Sequence, residues 1–423
     1  MNRKNVLFLL VFAGIFNSFA AIAQKDTTNS GCISITKIIP PSVKFSGFVN
    51  SEIFYDTRQT TGGRETLLML YPAAKSPDIH GFDLNSKGNF NQLAMMSRLT
   101  ANITGPDVLN AKTIGVIEAD FTGTSDATNN IFRLRHAYIK LTWKSDELLI
   151  GNYWTPFDVA EMIPAVISLN TGAPFHSFSR NPQVRYVHNF NNLKLIAVAL
   201  SQRDYASNGP LGVSSVYMRD AIVPEMHLQL QYNIGGHLFG VGGEYKCIQP
   251  RLATYKNIAS DEKLESTAII AFAKLNFPNL DIKLQGSYGG NISDHTMIGG
   301  YIESSIDTIS GITKYANANS LDIWTDISTK SKKLNVGLFA GYYKNMGYSS
   351  DIATGGKFYG NVNNIGYLYR IAPRLTYTAG AVMFALELEY TAAQYGTPDI
   401  KGKMINPYEI GNFRTLFGAF YFF

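Results

Sequence analysis

The chain of 423 residues is short of charge, with Asp, Glu, Lys and Arg together making up 16% against roughly 25% in ordinary soluble domains. It also lacks long hydrophobic runs. Beyond the N-terminus nothing approaches the roughly 20 apolar residues that a spanning helix needs, which disfavours a helical membrane bundle. No basic run or basic helix suggests nucleic acid, and 37 basic against 32 acidic residues leave only a small positive balance. Two cysteines, Cys32 and Cys247, allow one bridge at most. Catalytic signatures are missing too: there is no Gly-x-Ser-x-Gly, no His-Glu-x-x-His and no phosphate loop. The seven histidines, at 80, 136, 176, 188, 227, 237 and 295, show no paired metal-ligand spacing. Neither an enzyme nor a bound metal or cofactor is expected.

What the chain has in quantity is 24 Tyr, 26 Phe and 37 Gly, a composition suited to many strands, tight turns and aromatic girdles. At its start, Arg3 and Lys4 precede an apolar stretch from Val6 to Phe16 and then Ala21-Ile22-Ala23 before Gln24. That is the order of a secretory signal peptide with a small-x-small cleavage site. Residues 1–23 are therefore expected to be a signal peptide, 24–41 a short periplasmic segment and 42–423 the folded body. An anchor helix is disfavoured, because Asn17 and Ser18 interrupt the run.

From residue 43 to the end, apolar and polar residues alternate with period two. Val43, Phe45, Val49, Ile53 and Tyr55 share one face, while Lys44, Ser46, Asn50, Glu52 and Asp56 share the other. Sixteen strands are predicted. The first eight lie at 43–56, 92–104, 112–122, 131–143, 147–157, 182–190, 193–203 and 222–233. The second eight lie at 237–248, 266–277, 280–289, 320–329, 333–345, 365–378, 381–392 and 411–423. Every even-to-odd link is a short turn such as Asn191-Asn192 or Gly235-Gly236, whereas every odd-to-even link is longer, as at 57–91, 158–181 and 393–410. Short turns at one end, eight long loops at the other, an apolar face and a polar face are the pattern of a transmembrane β-barrel of the bacterial outer membrane. Phe413, Phe417, Tyr421 and Phe423 on one face give it an aromatic last strand. In this topology Cys247 is external and Cys32 periplasmic, about 25 Å apart across the apolar band and beyond the roughly 7 Å reach of a disulfide. Two unbridged thiols are expected.

A sixteen-stranded barrel encloses an aqueous lumen, so function is sought in what narrows and charges it. The third long loop, 158–181, contains Glu161, Met162, Ile163, Val166, Ile167, His176 and Phe178, too apolar to float in water. It is expected to fold inward as the constriction, with a short helical turn near 159–163; packing over the mouth or against a neighbouring subunit is the alternative. Around it gather Arg133, Arg135, Arg180 and Arg185, and across the barrel Arg98, Arg370, Arg374 and Arg414 fall on the polar parity. Guanidinium groups in a narrow passage attract anions. Glu118, Asp120, Glu387 and Glu389 also point inward, so each arginine has ion pairing as its competing role. One conflict of parity stands out: Ile139, Leu141 and Trp143 share a face with Arg133 and Arg135. Either a bulge shifts the register or this strand packs in an oligomer interface.

The segment Phe132-Arg133-Leu134-Arg135-His136-Ala137-Tyr138, followed by Gly151-Asn152-Tyr153-Trp154-Thr155-Pro156-Phe157 and Asn181-Pro182-Gln183-Val184-Arg185-Tyr186, resembles the DcaP-like porins. The match is most specific over residues 110–190. This resemblance implies a sixteen-stranded, trimeric porin of the outer membrane that passes small anionic solutes such as dicarboxylates, with Arg133, Arg135 and Arg185 at basic positions of the motif. The chain departs from members with a helical coiled-coil extension, since residues 24–41 are too short and contain Pro40-Pro41. A phosphate or pyrophosphate channel is the first alternative and needs lysines in the lumen, where strands offer Lys44, Lys194, Lys246, Lys274 and Lys283. An outer-membrane enzyme or adhesin working through its external loops is the second.

Overall fold

A computed structural model of the chain describes residues 41–423. The expected signal peptide, residues 24–40 and Cys32 lie outside the described residues, and Cys247 is buried. Sixteen strands form the wall. They are β1 (Ser42–Asp56), β2 (Asn89–Leu93, resuming as Arg98–Thr104), β3 (Lys112–Asp120), β4 (Arg133–Thr142), β5 (Asp146–Trp154) and β6 (Arg180–Phe190). Then come β7 (Leu193–Leu200), β8 (Glu225–Ile234), β9 (His237–Ile248), β10 (Leu264–Asn276) and β11 (Leu280–Gly290). The wall is completed by β12 (Thr313–Thr329), β13 (Leu334–Tyr348), β14 (Ile365–Ala379), β15 (Val382–Pro398) and β16 (Met404–Phe422).

Each strand pairs antiparallel with the next, and β1 pairs with both β2 and β16, from Phe48↔Phe422 to Asp56↔Arg414. The sheet thus closes and leaves no edge, which hydrocarbon requires because unpaired backbone groups there cost several kcal/mol each. Along β1, Asn50, Glu52, Phe54 and Asp56 are buried while Val49 and Tyr55 are exposed. The same alternation puts Ile117, Ile150, Leu228, Val241, Ile269 and Phe417 on the outside. An exposed apolar surface of this extent belongs in lipid. Among the described residues no helix is long and apolar enough to cross a membrane.

The turns at one end are as short as the sequence indicates; in Gly235-Gly236 both residues have positive φ, +57° and +85°, the conformation that a two-residue hairpin turn demands. At the other end the eighth connection differs from expectation. The predicted loop 393–410 is mostly strand, because β15 and β16 continue outward as a hairpin with residues 399–403 at its tip. β12 likewise starts earlier than predicted and pairs there with an extra strand, Gly300–Ile306. Above the membrane both faces of a strand meet water or loops, so the alternation that reveals a strand is lost.

The parity conflict in β4 is resolved by a bulge. Glu118 pairs with His136 and Ala119 with Leu134, so Arg135 is the extra residue. Arg133, Arg135 and His136 are all buried, and beyond the bulge Ile139 emerges on the outer face.

Candidate functional site

The site is built on β2 to β6 and on the loops that enter the lumen. Arg133, on β4, holds Asp120 of β3 through Nε to Oδ1 at 3.1 Å and Nη2 to Oδ2 at 2.9 Å. Arg135 donates to Glu118 at 2.7 Å and to Asp120 at 2.8 Å. Arg98, on β2, stands 3.7 Å from the same Glu118. Two carboxylates therefore serve three guanidiniums. Arg180, where β6 begins, is 2% exposed and lies over three rings, Trp154 at 4.5 Å, Phe178 at 4.9 Å and Tyr205 at 5.5 Å. Its Nη2 donates to the Tyr205 hydroxyl at 2.9 Å, and its Nη1 has no hydrogen-bond partner. Arg135 leans over the same Trp154, so the two cations share one ring. Arg185, farther along β6, lies over Tyr153 at 5.8 Å. Among the described residues no carboxylate forms an ion pair with Arg180 or Arg185.

The other three predicted arginines are committed elsewhere. Arg374 grips Asp326 with both terminal nitrogens at 2.9 and 2.8 Å. Arg414 grips Asp56 at 2.9 and 2.7 Å and also donates to Thr66 O, in the first loop. Arg370 donates to Ala173 O at 2.7 Å and Leu70 O at 2.9 Å, with Glu389 3.3 Å away. These three act as clamps that hold loops to the wall.

The loop after β5 is bonded to strands far from its own. Ile167 and Ser168 donate their backbone N–H groups to Glu387 of β15, at 2.8 and 3.2 Å, and Ala165 donates to Asp326 of β12. Lys283 of β11 donates to Ile163 O at 2.5 Å. Phe157, Met162 and Phe175 pack with Trp324 and Phe339 from β12 and β13. A 3₁₀ turn at Ala160–Met162 falls where a helical turn was predicted. Of the predicted constriction residues, Phe178 closes on Arg180, Glu161 is exposed and faces Lys194 at 3.4 Å, and His176 is buried edge-on to Trp324, 5.2 Å between centroids.

Asp158, His176 and Ser177 meet at the base of this loop. The Ser177 hydroxyl, however, donates to Asp158 at 2.7 Å and not to His176, and all three are buried, so the hydroxyl is not poised as a nucleophile. Burial pushes Asp158 up to about 6, against three hydrogen bonds from Ser177, Ser179 and Thr155 that hold it down. Burial, aided by Lys283, pushes His176 down to about 3.

Sequence patterns missed three contributors. Trp154 and Tyr205 stack on Arg180, but no periodicity marks a cation–aromatic contact made across a loop. A hairpin in the first loop, Thr60–Gly63 with Leu68–Pro72, lies against the loop after β5, where Asn170 donates to Met69 O at 3.3 Å; its buried Leu67 and Met69 in a long loop were the available signal.

The sequence profile described as DcaP outer membrane protein matches residues 16–229, just over half of the chain. No curated protein sequence matches it. Among solved structures the fold is similar to the outer membrane channel DcaP of Acinetobacter baumannii, with TM-score 0.65 and 16% identity over 90% of this chain and 97% of that one. It is also similar to an anion-selective porin from Comamonas acidovorans, with TM-score 0.54 and 10% identity over 91% and 100%. A trimer form of OmpT from Vibrio cholerae gives TM-score 0.53 and 12% identity over 90% and 99%. At these identities the likeness is one of fold.

Proposed function

The chain belongs to the DcaP outer membrane protein family and lies in the bacterial outer membrane, and on that premise we propose that it is a passive porin for small anionic solutes such as dicarboxylates. The observation that carries this reading is the surplus of cation on one wall. Arg98, Arg133 and Arg135 share two carboxylates, Glu118 and Asp120, while among the described residues Arg180 and Arg185 form no ion pair and Arg180 keeps a buried N–H donor with no partner. A guanidinium fork with a free donor suits a carboxylate, and the low dielectric of a narrow passage strengthens the attraction. The names channel and anion-selective porin, borne by proteins of the same fold, support it.

The lysines speak for arginine as the anion-binding group. Lys246 is held by Asn291 O and Asp294, Lys194 by Glu161 and Lys283 by Ile163 O, so they have other work than phosphate binding. Homotrimeric assembly is part of the proposal, supported by the trimer form of a protein of the same fold. So is the division into signal peptide, short periplasmic segment and barrel.

Reversal potentials across planar bilayers under a salt gradient test the reading. The wild-type protein is expected to prefer anions, and Arg180→Gln together with Arg185→Gln to lower that preference. Cation preference in the wild type overturns the proposal.

A further inference from the structure

A second cluster of ionisable side chains lies apart from the arginine wall. Glu225 opens β8, Glu244 lies on β9, and His295 reaches them from a 3₁₀ turn, Ser293–His295, in the loop after β11. Each offers a ligand atom, and these atoms all lie within 4.8 Å of one another. Relative exposures are 0%, 6% and 1%. His295 Nε2 meets Glu244 Oε1 at 3.1 Å, and the ring is stacked on Phe157 with centroids 4.9 Å apart. Yet both carboxylate oxygens of Glu225, Oε2 of Glu244 and Nδ1 of His295 have no hydrogen-bond partner. The nearby cation is otherwise engaged: Lys246 donates to Asn291 O at 2.5 Å and to Asp294.

A fully buried carboxylate with neither oxygen partnered is among the least favourable arrangements in a folded protein. A divalent cation at the meeting point of the three side chains removes that penalty. We propose that Glu225, Glu244 and His295 form a binding site for a divalent transition metal of the zinc class, which ties the loop after β11 to the wall. One imidazole and two carboxylates are a donor set that zinc accepts with four ligands. Calcium takes six to eight oxygens, and magnesium keeps a near-octahedral shell. Three protein ligands leave the fourth position of a tetrahedral ion to water. Through Phe178 N, which donates to His295 O at 2.8 Å, the metal also braces the end of the constriction loop. The site uses no arginine of the proposed passage, so it stands whether or not the porin prefers anions.

The full barrel, refolded in detergent and stripped with chelator, is titrated calorimetrically with zinc chloride and, separately, magnesium chloride. One zinc per chain is expected, with Glu225→Gln and His295→Ala each weakening it at least about tenfold, the scale of effect seen on losing metal-site groups. Zinc is also expected to raise the thermal midpoint of the wild type but not of Glu225→Gln, a variant that removes a buried charge without changing shape and should fold. Absence of zinc binding by the stripped wild type, unchanged affinity in both variants, or equal binding of magnesium overturns the proposal.

Discussion

Asp120 holds two guanidiniums side by side: its Oδ2 accepts from Arg133 Nη2 at 2.9 Å and from Arg135 Nη1 at 2.8 Å. Two consecutive inward positions of a regular strand would place these arginines two residues apart on one face and then carry Ile139 inward with them. The extra residue at Arg135 breaks that rule, so a strand can be charged toward the mouth and still present isoleucine to lipid.

Asp120→Asn removes the negative charge from between the two arginines and keeps its shape. The substitution is expected to increase anion preference in bilayer reversal potentials. It should also cost about 3 kcal/mol of stability, the scale for leaving a buried charge without its partner, and so lower the thermal midpoint.

Glu387 receives two backbone N–H groups of the loop after β5, and Glu387→Ala leaves both without acceptor. A cost of roughly 1–3 kcal/mol for each buried donor is enough to loosen the loop. Single-channel recordings are expected to show larger or noisier conductance, and protease is expected to cut within 158–179 where it spares the wild type.

Asp158 and His176 work against each other as pH falls. With a folded value of about 6 against an ordinary 3.8, Asp158 favours the folded state at low pH and loses that contribution as pH rises through 6. With about 3 against 6.5, His176 favours it at high pH and loses that contribution as pH falls from 6.5 toward 3. Other groups titrate alike in wild type and variants, so the comparison is the difference from wild type: as pH falls from 6.5 to 4, the thermal midpoint of His176→Phe should rise relative to wild type and that of Asp158→Asn should fall relative to it.

Gly151 adopts φ +135°, and a Cβ built on it would stand 2.2 Å from Ala137 O. Gly151→Val therefore meets both a forbidden conformation and the neighbouring strand's backbone. Loss of folded protein on cold, unboiled gels is the expected result.

How far the sequence carried depended on where each residue meets the membrane. All sixteen strands were legible because lipid on one side and water on the other force alternation, as along Val49 to Asp56. Where β15 and β16 leave the bilayer that force ends, and residues 393–410 looked like loop. Arg133 and Arg135 stood out by type, yet nothing in the sequence told their ion pairs with Glu118 and Asp120 apart from the open donor of Arg180. That distinction depends on loop paths, and loops carry no period. The Glu225, Glu244 and His295 group was invisible for a related reason: the hairpin of β8 and β9 brings the two glutamates together, but His295 reaches them from a loop 51 positions beyond Glu244.

The hydrogen bonds between Gly47 and Phe423 join the two extremes of the barrel sequence. Until the sixteenth strand arrives, the first has no neighbour on that side, and fifteen assembled strands still offer two raw margins to any other chain in reach. Both margins vanish together only when the aromatic tail is stitched to the start, so every earlier stage leaves backbone groups that a foreign strand could bind.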